Sequence, residues 1–330
     1  MRKCQITVAF LLCLGCTSTS DEDTGPTLDT GWFADTASPE NCPGVAVQIM
    51  PKENEQYWYW RDLPTVWTGN ARQETYSASL WQGSTEIPTT MQWNEGGLKF
   101  QVDPGGTLEP DTTYSLQVTD CKQTVRHDFS TSSYGQPLTG GPAAVVQSTY
   151  LIDLGGATWL EPGGFASILS LYFTTPILLM VSHADEDHVD FMGAQGYRDD
   201  FGRYHQSPIE PTFDFPLSPW IDKPYFGIVS PKVEISFSNV LIPIYDFGLS
   251  ATFSADGGAI GGAAIMGLGD TRNMGVLIGQ EGEPGAICEQ AAALGVSCEA
   301  CPDGELWCLF LSASDVDGTR VPDVILVPRE

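Results

Sequence analysis

Apolar residues recur at every second position over much of the chain. Between Gly44 and Ser132, Val45, Val47 and Ile49 alternate with other residues, as do Tyr76, Ala78 and Leu80, then Leu98, Phe100 and Val102, then Tyr114, Leu116 and Val118. Successive strand side chains point to opposite faces, so a period of two marks strands with one buried face. Turn residues separate the runs, and the pattern predicts seven short strands folded as a β-sandwich over residues 42–133.

The stretch "YGQPLTGGP" breaks the pattern, and residues 134–142 are expected to be a linker. Residues 143–330 then form a second β-rich domain. An apolar strand passes through Tyr150 and Ile152, and "GGFASILSLYF" spaces Phe165, Ile168, Leu169 and Tyr172 as one short helical face. Further strands are expected at Ile177–Val181, at Val233, Ile235 and Phe237, and at Phe247, Leu249, Ala251 and Phe253. "SADGGAIGGAAIMG" reads as a glycine-rich hairpin, and "PGAICEQAAALG" as a short helix with proline near its start and Gly295 at its end. A strand pair around Leu306–Leu311 and Val321–Val327 closes the chain. The fold class is mainly β: a sandwich followed by an antiparallel sheet or partial barrel with two or three short helices.

The first residues have a different character. Met1-Arg2-Lys3 is a short positive region, and the apolar stretch Ile6–Leu14 is too short to span a bilayer. It runs into "LLCLGC", which resembles the lipobox of bacterial lipoproteins, with cleavage after residue 15 and lipidation of Cys16. Cys13 stands where leucine is usual, and an ordinary secretory signal is the alternative. Residues 16–41 carry six acids and no base from Asp21 to Glu40, the composition of a disordered tether. Acyl chains such as palmitate on Cys16 make the membrane a partner, since two chains suffice for stable anchoring. Thr17 rather than aspartate follows Cys16, which in such lipoproteins points to the outer membrane, facing the periplasm or the cell surface.

Composition narrows the partners. The 330 residues contain 42 Asp+Glu against 15 Lys+Arg. No basic face is available to neutralise phosphates, so nucleic acid is excluded as a partner. A protein or carbohydrate partner is left open.

"GGTLEPDTTYSLQV" places leucine, proline, threonine and tyrosine just before an alternating strand, with "WNEGGLKFQVDP" before it and "HDFSTSS" after it. This resembles the bacterial Ig-like domains of surface-layer and envelope proteins. The resemblance implies a spacer or interaction module, with Tyr114 packed and its hydroxyl holding a loop. His127 lies in an alternating stretch and reads as a half-buried strand residue.

Chemistry concentrates in "ILLMVSHADEDH". "TYLIDLGG" lies before it and "GLGD" ends at Asp270, an order that resembles the metallo-β-lactamase fold. That resemblance implies a metal-dependent hydrolase in which His183 and Asp185 bind one ion, Asp187 and His188 a second, and Asp270 bridges them. The downstream histidines of that fold are missing: His205 follows His188 by only 17 residues and nothing comes later. The residues themselves favour a charged loop between two strands, with no metal, cofactor or catalytic residue assigned.

Nine cysteines fall to six once Cys4, Cys13 and the lipidated Cys16 are set aside. An even number in an exported chain reads as disulfides. Cys42 and Cys121 flank the sandwich and are expected to pair. For Cys288, Cys298, Cys301 and Cys308, a Cys4 zinc site and a thioredoxin-like Cys298-Glu-Ala-Cys301 motif compete with two disulfides. The disulfide reading is preferred, with "PDGE" turning a hairpin that brings Cys298 to Cys308 and leaves Cys301 for Cys288. Asp315, Asp317 and Asp323 surround a glycine as calcium loops do, and an acidic turn between two strands accounts for them as well.

The sequence therefore points to a cell-envelope lipoprotein with a binding or structural role, rather than to an enzyme. Two alternatives stay open. One is a degenerate metallohydrolase using His183, Asp185, Asp187, His188 and Asp270. The other is a carrier of a hydrophobic ligand in the C-terminal sheet.

Overall fold

A computed structural model of the chain describes residues 48–69, 73–120, 123–163, 175–237 and 240–329. The expected signal peptide, Cys16, the tether, the Cys42–Cys121 pair and the helical face of Phe165–Tyr172 lie outside the described residues. The protein is mainly β, as the alternation requires.

The first strands are β1 (Gln48–Met50), β2 (Glu55–Trp58), β3 (Thr65–Trp67), β4 (Tyr76–Gln82), β5 (Thr85–Ile87), β6 (Thr90–Trp93), β7 (Lys99–Asp103), β8 (Thr113–Asp120) and β9 (Gln123–Thr131). They form two sheets, in the orders β1-β3-β7-β6 and β2-β9-β8-β4-β5. Val66, Phe100 and Val102 of one sheet and Leu80, Tyr114, Leu116, Val118 and Phe129 of the other bury into one core. Among the described residues there are nine strands where seven were expected, because elements of three or four residues such as β2 and β5 are too short for alternation to register. The strand β2 also joins β9 in parallel, a pairing no local pattern encodes.

The second group is β10 (Thr149–Asp153), β11 (Thr158–Glu161), β12 (Ile177–Ala184), β13 (His188–Arg198), β14 (Tyr204–Gln206), β15 (Thr212–Asp222), β16 (Tyr225–Phe237), β17 (Val240–Phe253), β18 (Ala259–Asp270) and β19 (Cys308–Val321), with the helix α1 (Ala286–Ala293) between the last two. The order β10-β12-β13-β15-β16-β17-β18-β19 is antiparallel throughout, and β19 returns to β10 from Thr149↔Val321 to Asp153↔Asp317. The expected sheet or partial barrel is thus a closed eight-stranded barrel. Closure joins residues far apart in the chain, so no short-range pattern announces it. Closing the sheet removes its edges.

Inward side chains alternate along each strand, as in Phe226 and Ile228 on β16 and Leu249, Ala251 and Phe253 on β17. At one end the interior is solid with aromatic rings. Phe226 lies 4.6 Å from Phe191 and 4.8 Å from Phe253, and the buried Tyr150 donates its hydroxyl to the Gly257 carbonyl at 2.8 Å.

Two expectations about the C-terminal region are corrected. Of the strand pair expected around Leu306–Leu311 and Val321–Val327, the first is β19, which runs on to Val321 and takes Asp315 and Asp317 onto a strand, while residues 322–327 form no strand and Asp323 lies in a turn. Asp315 has φ 54°, and the pairing with β18 shifts between Ala263 and Ile265 nearby, so a local irregularity takes the place of a reversal. The disulfides join Cys288 to Cys298 and Cys301 to Cys308, not Cys288 to Cys301 and Cys298 to Cys308. The chain after α1 turns at Gly295 (φ 81°), which returns Cys298 to Cys288. "PDGE" then turns tightly enough for the Cys301 N–H to reach Glu305 O at 2.8 Å, which sets Cys301 beside Cys308.

The sandwich and the barrel touch through "YWRD". The Arg61 guanidinium lies 4.1 Å from the Tyr225 ring centre and 3.5 Å from the Asp222 carboxylate. The expected linker also holds to both parts. Thr139 N donates to Ala255 O at 2.7 Å, and Gln136 Nε2 to Pro110 O at 3.2 Å.

Candidate functional site

The half of the barrel away from the aromatic cluster holds a partly open cavity of about 100 Å³. Its walls come from all eight barrel strands and include Ile152, Leu179, Phe215, Val233, Ile244, Phe247, Leu249, Ile265 and Leu311. The lining is almost wholly apolar. Trp159 spends its indole N–H on Leu154 O at 3.3 Å, and Gln195 and Glu234 are the other residues of the wall that carry polar side chains. Glu234 is engaged by Lys232 at 2.6 Å, an ion pair that raises the lysine above its ordinary range.

The cause lies in the sequence. Strands of valine, isoleucine, leucine and phenylalanine turn branched and aromatic side chains inward, and a barrel of eight strands is just wide enough for side chains to fill it or to hold one small ligand. Here one half is filled and the other keeps a gap of about 100 Å³. Water gains little in a cavity without hydrogen-bond partners. An empty cavity of this size costs about 2 kcal/mol of stability, which an apolar occupant recovers.

The second candidate is the β12–β13 hairpin. His183, Asp185 and His188 bring one ligand atom each to within 4.8 Å of one another. Asp185 organises the turn: its Oδ1 accepts the N–H groups of Asp187 at 2.8 Å and His188 at 2.9 Å. His183 Nε2 lies 3.4 Å from Asp185 Oδ2, and His188 Nδ1 lies 3.2 Å from Oδ1. The backbone N–H groups of His188 and Asp187, helped by the His183 ring, hold the Asp185 carboxyl down to about 2.

The other members of the five-residue set do not join them. Asp187 contributes its backbone N–H to the turn. Asp270 lies at the opposite end of the barrel. Thr149 pairs with Met180 and Val321, which places the His183 end of β12 beside the C-terminal end of β19, whereas Asp270 pairs with Cys308 at the start of β19. Asp270 binds Arg272 bidentately, and Arg272 also reaches Asp303 at 2.5 Å. His205 is occupied with Asp199 at 3.0 Å. The residues therefore do not fit a two-metal hydrolase. Three of them make a compact surface turn whose donors already bond to one another.

The remaining predicted residues have structural surroundings. Tyr114 is buried and its hydroxyl accepts the Glu109 N–H at 2.7 Å, holding the loop before β8. His127 Nδ1 meets Pro51 O at 3.0 Å on a half-buried strand. Burial, then the neighbouring carboxylates of Asp315 and Asp153, raise the Asp317 carboxyl. Gln195, Ser236, Tyr59 and Arg61 were not singled out from the sequence. Their roles depend on contacts such as Gln195 with Ser236 that link separate strands, and no spacing signals them.

No known family and no curated protein matches the sequence. Among solved structures, similarity is found to an L,D-transpeptidase from Mycobacterium smegmatis, at 11% identity over 65% of this chain and 77% of that one, with a TM-score of 0.23. It is also found to a chain described as an anomalous substructure of Titin-A168169, at 13% identity over 50% of this chain and 97% of that one, with a TM-score of 0.19. Scores this low define no shared fold family.

Proposed function

We propose that the protein is an envelope-anchored binding protein whose barrel holds a small apolar ligand. The observation that carries this reading is the apolar-lined cavity of about 100 Å³ in one half of the barrel beside a fully packed half. A barrel serving only as a scaffold gains stability by filling that space. The sandwich acts as a spacer, and the acidic tether and a lipidated Cys16 keep the barrel near a membrane that supplies apolar molecules.

Two measurements test the reading. Mass spectrometry of organic extracts of the purified full chain should find a co-purified apolar molecule near one equivalent. Ile265→Trp, which fills the cavity, should abolish binding of xenon or benzene while raising or preserving Tm. Extracts without ligand, together with wild-type protein that binds neither xenon nor benzene, would rule the carrier out. For the anchor, Cys16→Ser should move the protein to the soluble fraction, and retention on membranes in high salt would refute lipidation.

A further inference from the structure

The joint between the sandwich and the barrel gathers acids. Two rings form its apolar part. The Tyr59 ring presses on Gly262 and the Tyr134 ring on Gly261, so closely that a Cβ on either glycine would collide with the ring. These glycines make a bulge. Ile260 of β18 pairs with Gly318 and Ala263 with Val316, so Gly261 and Gly262 together oppose the single residue Asp317 of β19. Val316 points into the barrel core, which turns Asp315 and Asp317 outward, beside the rings.

The sandwich brings a third acid to this face. The Asp62 N–H donates to Tyr59 O at 3.0 Å, and the Trp58 indole N–H donates to Asp62 O at 3.0 Å. That turn holds Asp62 next to Tyr59, where the charge of Asp315 acts on it. No described residue donates a hydrogen bond to the Asp62 carboxylate. Nearby cations are engaged elsewhere: Arg61 with Asp222 and the Tyr225 ring, Arg320 with the field of Asp256. Asp317 stands between Asp315 and the further charge of Asp153, and the Tyr134 phenol feels Asp317 and Asp256.

We propose that this joint is a pH-sensitive device: Asp62 of the sandwich and Asp315 of the barrel repel across it at neutral pH, and the joint tightens on acidification, when one of them takes up a proton. Burial, then the charge of Asp315, pushes the Asp62 carboxyl up to about 6. Asp62 stays partly open to water, which moderates the repulsion. An aspartate free of the joint titrates near 3.9. The value in the closed joint is the higher one, so ionised Asp62 weakens the joint above about pH 6, and that penalty is relieved as pH falls towards 4. The device does not depend on what the barrel binds.

Hydrogen exchange of the full chain tests this at the Thr139 amide, which bonds from the linker to Ala255 O of the barrel. Its protection, corrected for the intrinsic pH dependence of exchange, should rise about fivefold to tenfold from about pH 7.5 to about pH 5. In Asp62→Asn it should already be high at neutral pH and change by less than about twofold. Asp315→Asn should behave alike, because asparagine suits the φ of 54° at that position. Either variant decides the matter if the other does not fold. Wild-type protection that ignores pH would overturn the proposal. An equal rise in wild type and both variants would overturn it too, by assigning the effect to the net charge of −27 rather than to this pair.

Discussion

The Tyr59 hydroxyl lies 2.6 Å from Thr252 Oγ1, and the Tyr59 ring lies so close to Gly262 that a Cβ there would stand 2.2 Å from a ring carbon. One aromatic residue thus ties the sandwich to two barrel strands. Burial pushes its phenol up to about 12, so it stays a hydrogen-bonding hydroxyl throughout the neutral range.

Gly262→Ala should be more damaging than Tyr59→Phe. Alanine collides with the ring and also strains a backbone at φ 58°. A cost of about 1–3 kcal/mol is expected, as for overpacking. Tyr59→Phe removes only the hydroxyl, at about 1 kcal/mol. Calorimetry checks both, and equal Tm values for the two variants would contradict the contact.

Tyr114→Phe should destabilise the sandwich by about 1 kcal/mol, since the Glu109 N–H loses its acceptor while the ring packing survives. Urea unfolding should show a lower midpoint at an unchanged slope. A midpoint equal to that of wild type would show that the hydroxyl holds nothing.

How far the sequence could be read depended on the range of each interaction. Long alternating strands such as β8 and the Tyr114 corner are local and were legible. Barrel closure through Thr149↔Val321 was not, because it joins segments with no shared pattern. The His183–His188 turn was visible, since one carboxylate organises residues within a few positions. The cavity was not, because an unfilled volume belongs to no residue. "SDVDGTRVPD" misled: its glycine and acids look like a turn, yet β-ladders on both sides of β19 outweigh that tendency.

Cys301→Ser with Cys308→Ser should lower stability by about 2–3 kcal/mol, the chain-entropy value for so short a loop. Non-reducing peptide mapping should recover Cys288 with Cys298 and Cys301 with Cys308. Bound zinc with free thiols at these positions would overturn the assignment.

The final prediction concerns the His183–His188 turn. Asp185 holds its turn through two backbone N–H bonds that favour the ionised carboxylate, so its carboxyl sits at about 2 in the folded protein. An unfolded aspartate titrates near 3.9. Because the folded value is the lower one, this stabilisation is complete above about pH 4 and is lost as pH falls towards 2. Asp185→Asn should therefore flatten the acid limb of the stability curve between those values, with its deficit full near pH 7 and vanishing towards pH 2. The two imidazoles contribute less. His183 is exposed and His188 is half-buried, and each meets Asp185 at a length where hydrogen bonding is weak. The double variant His183→Ala, His188→Ala should keep Tm nearly constant, since surface changes usually move stability by no more than about 0.5 kcal/mol. Metal content of the native protein should be substoichiometric, because a catalytic zinc needs three well-oriented ligands and an open position. These donors are turned towards one another, and Asp270 is at the other end of the barrel. Stoichiometric zinc that the double variant loses, accompanied by hydrolysis of a phosphodiester or β-lactam probe, would show that the turn is a catalytic centre after all.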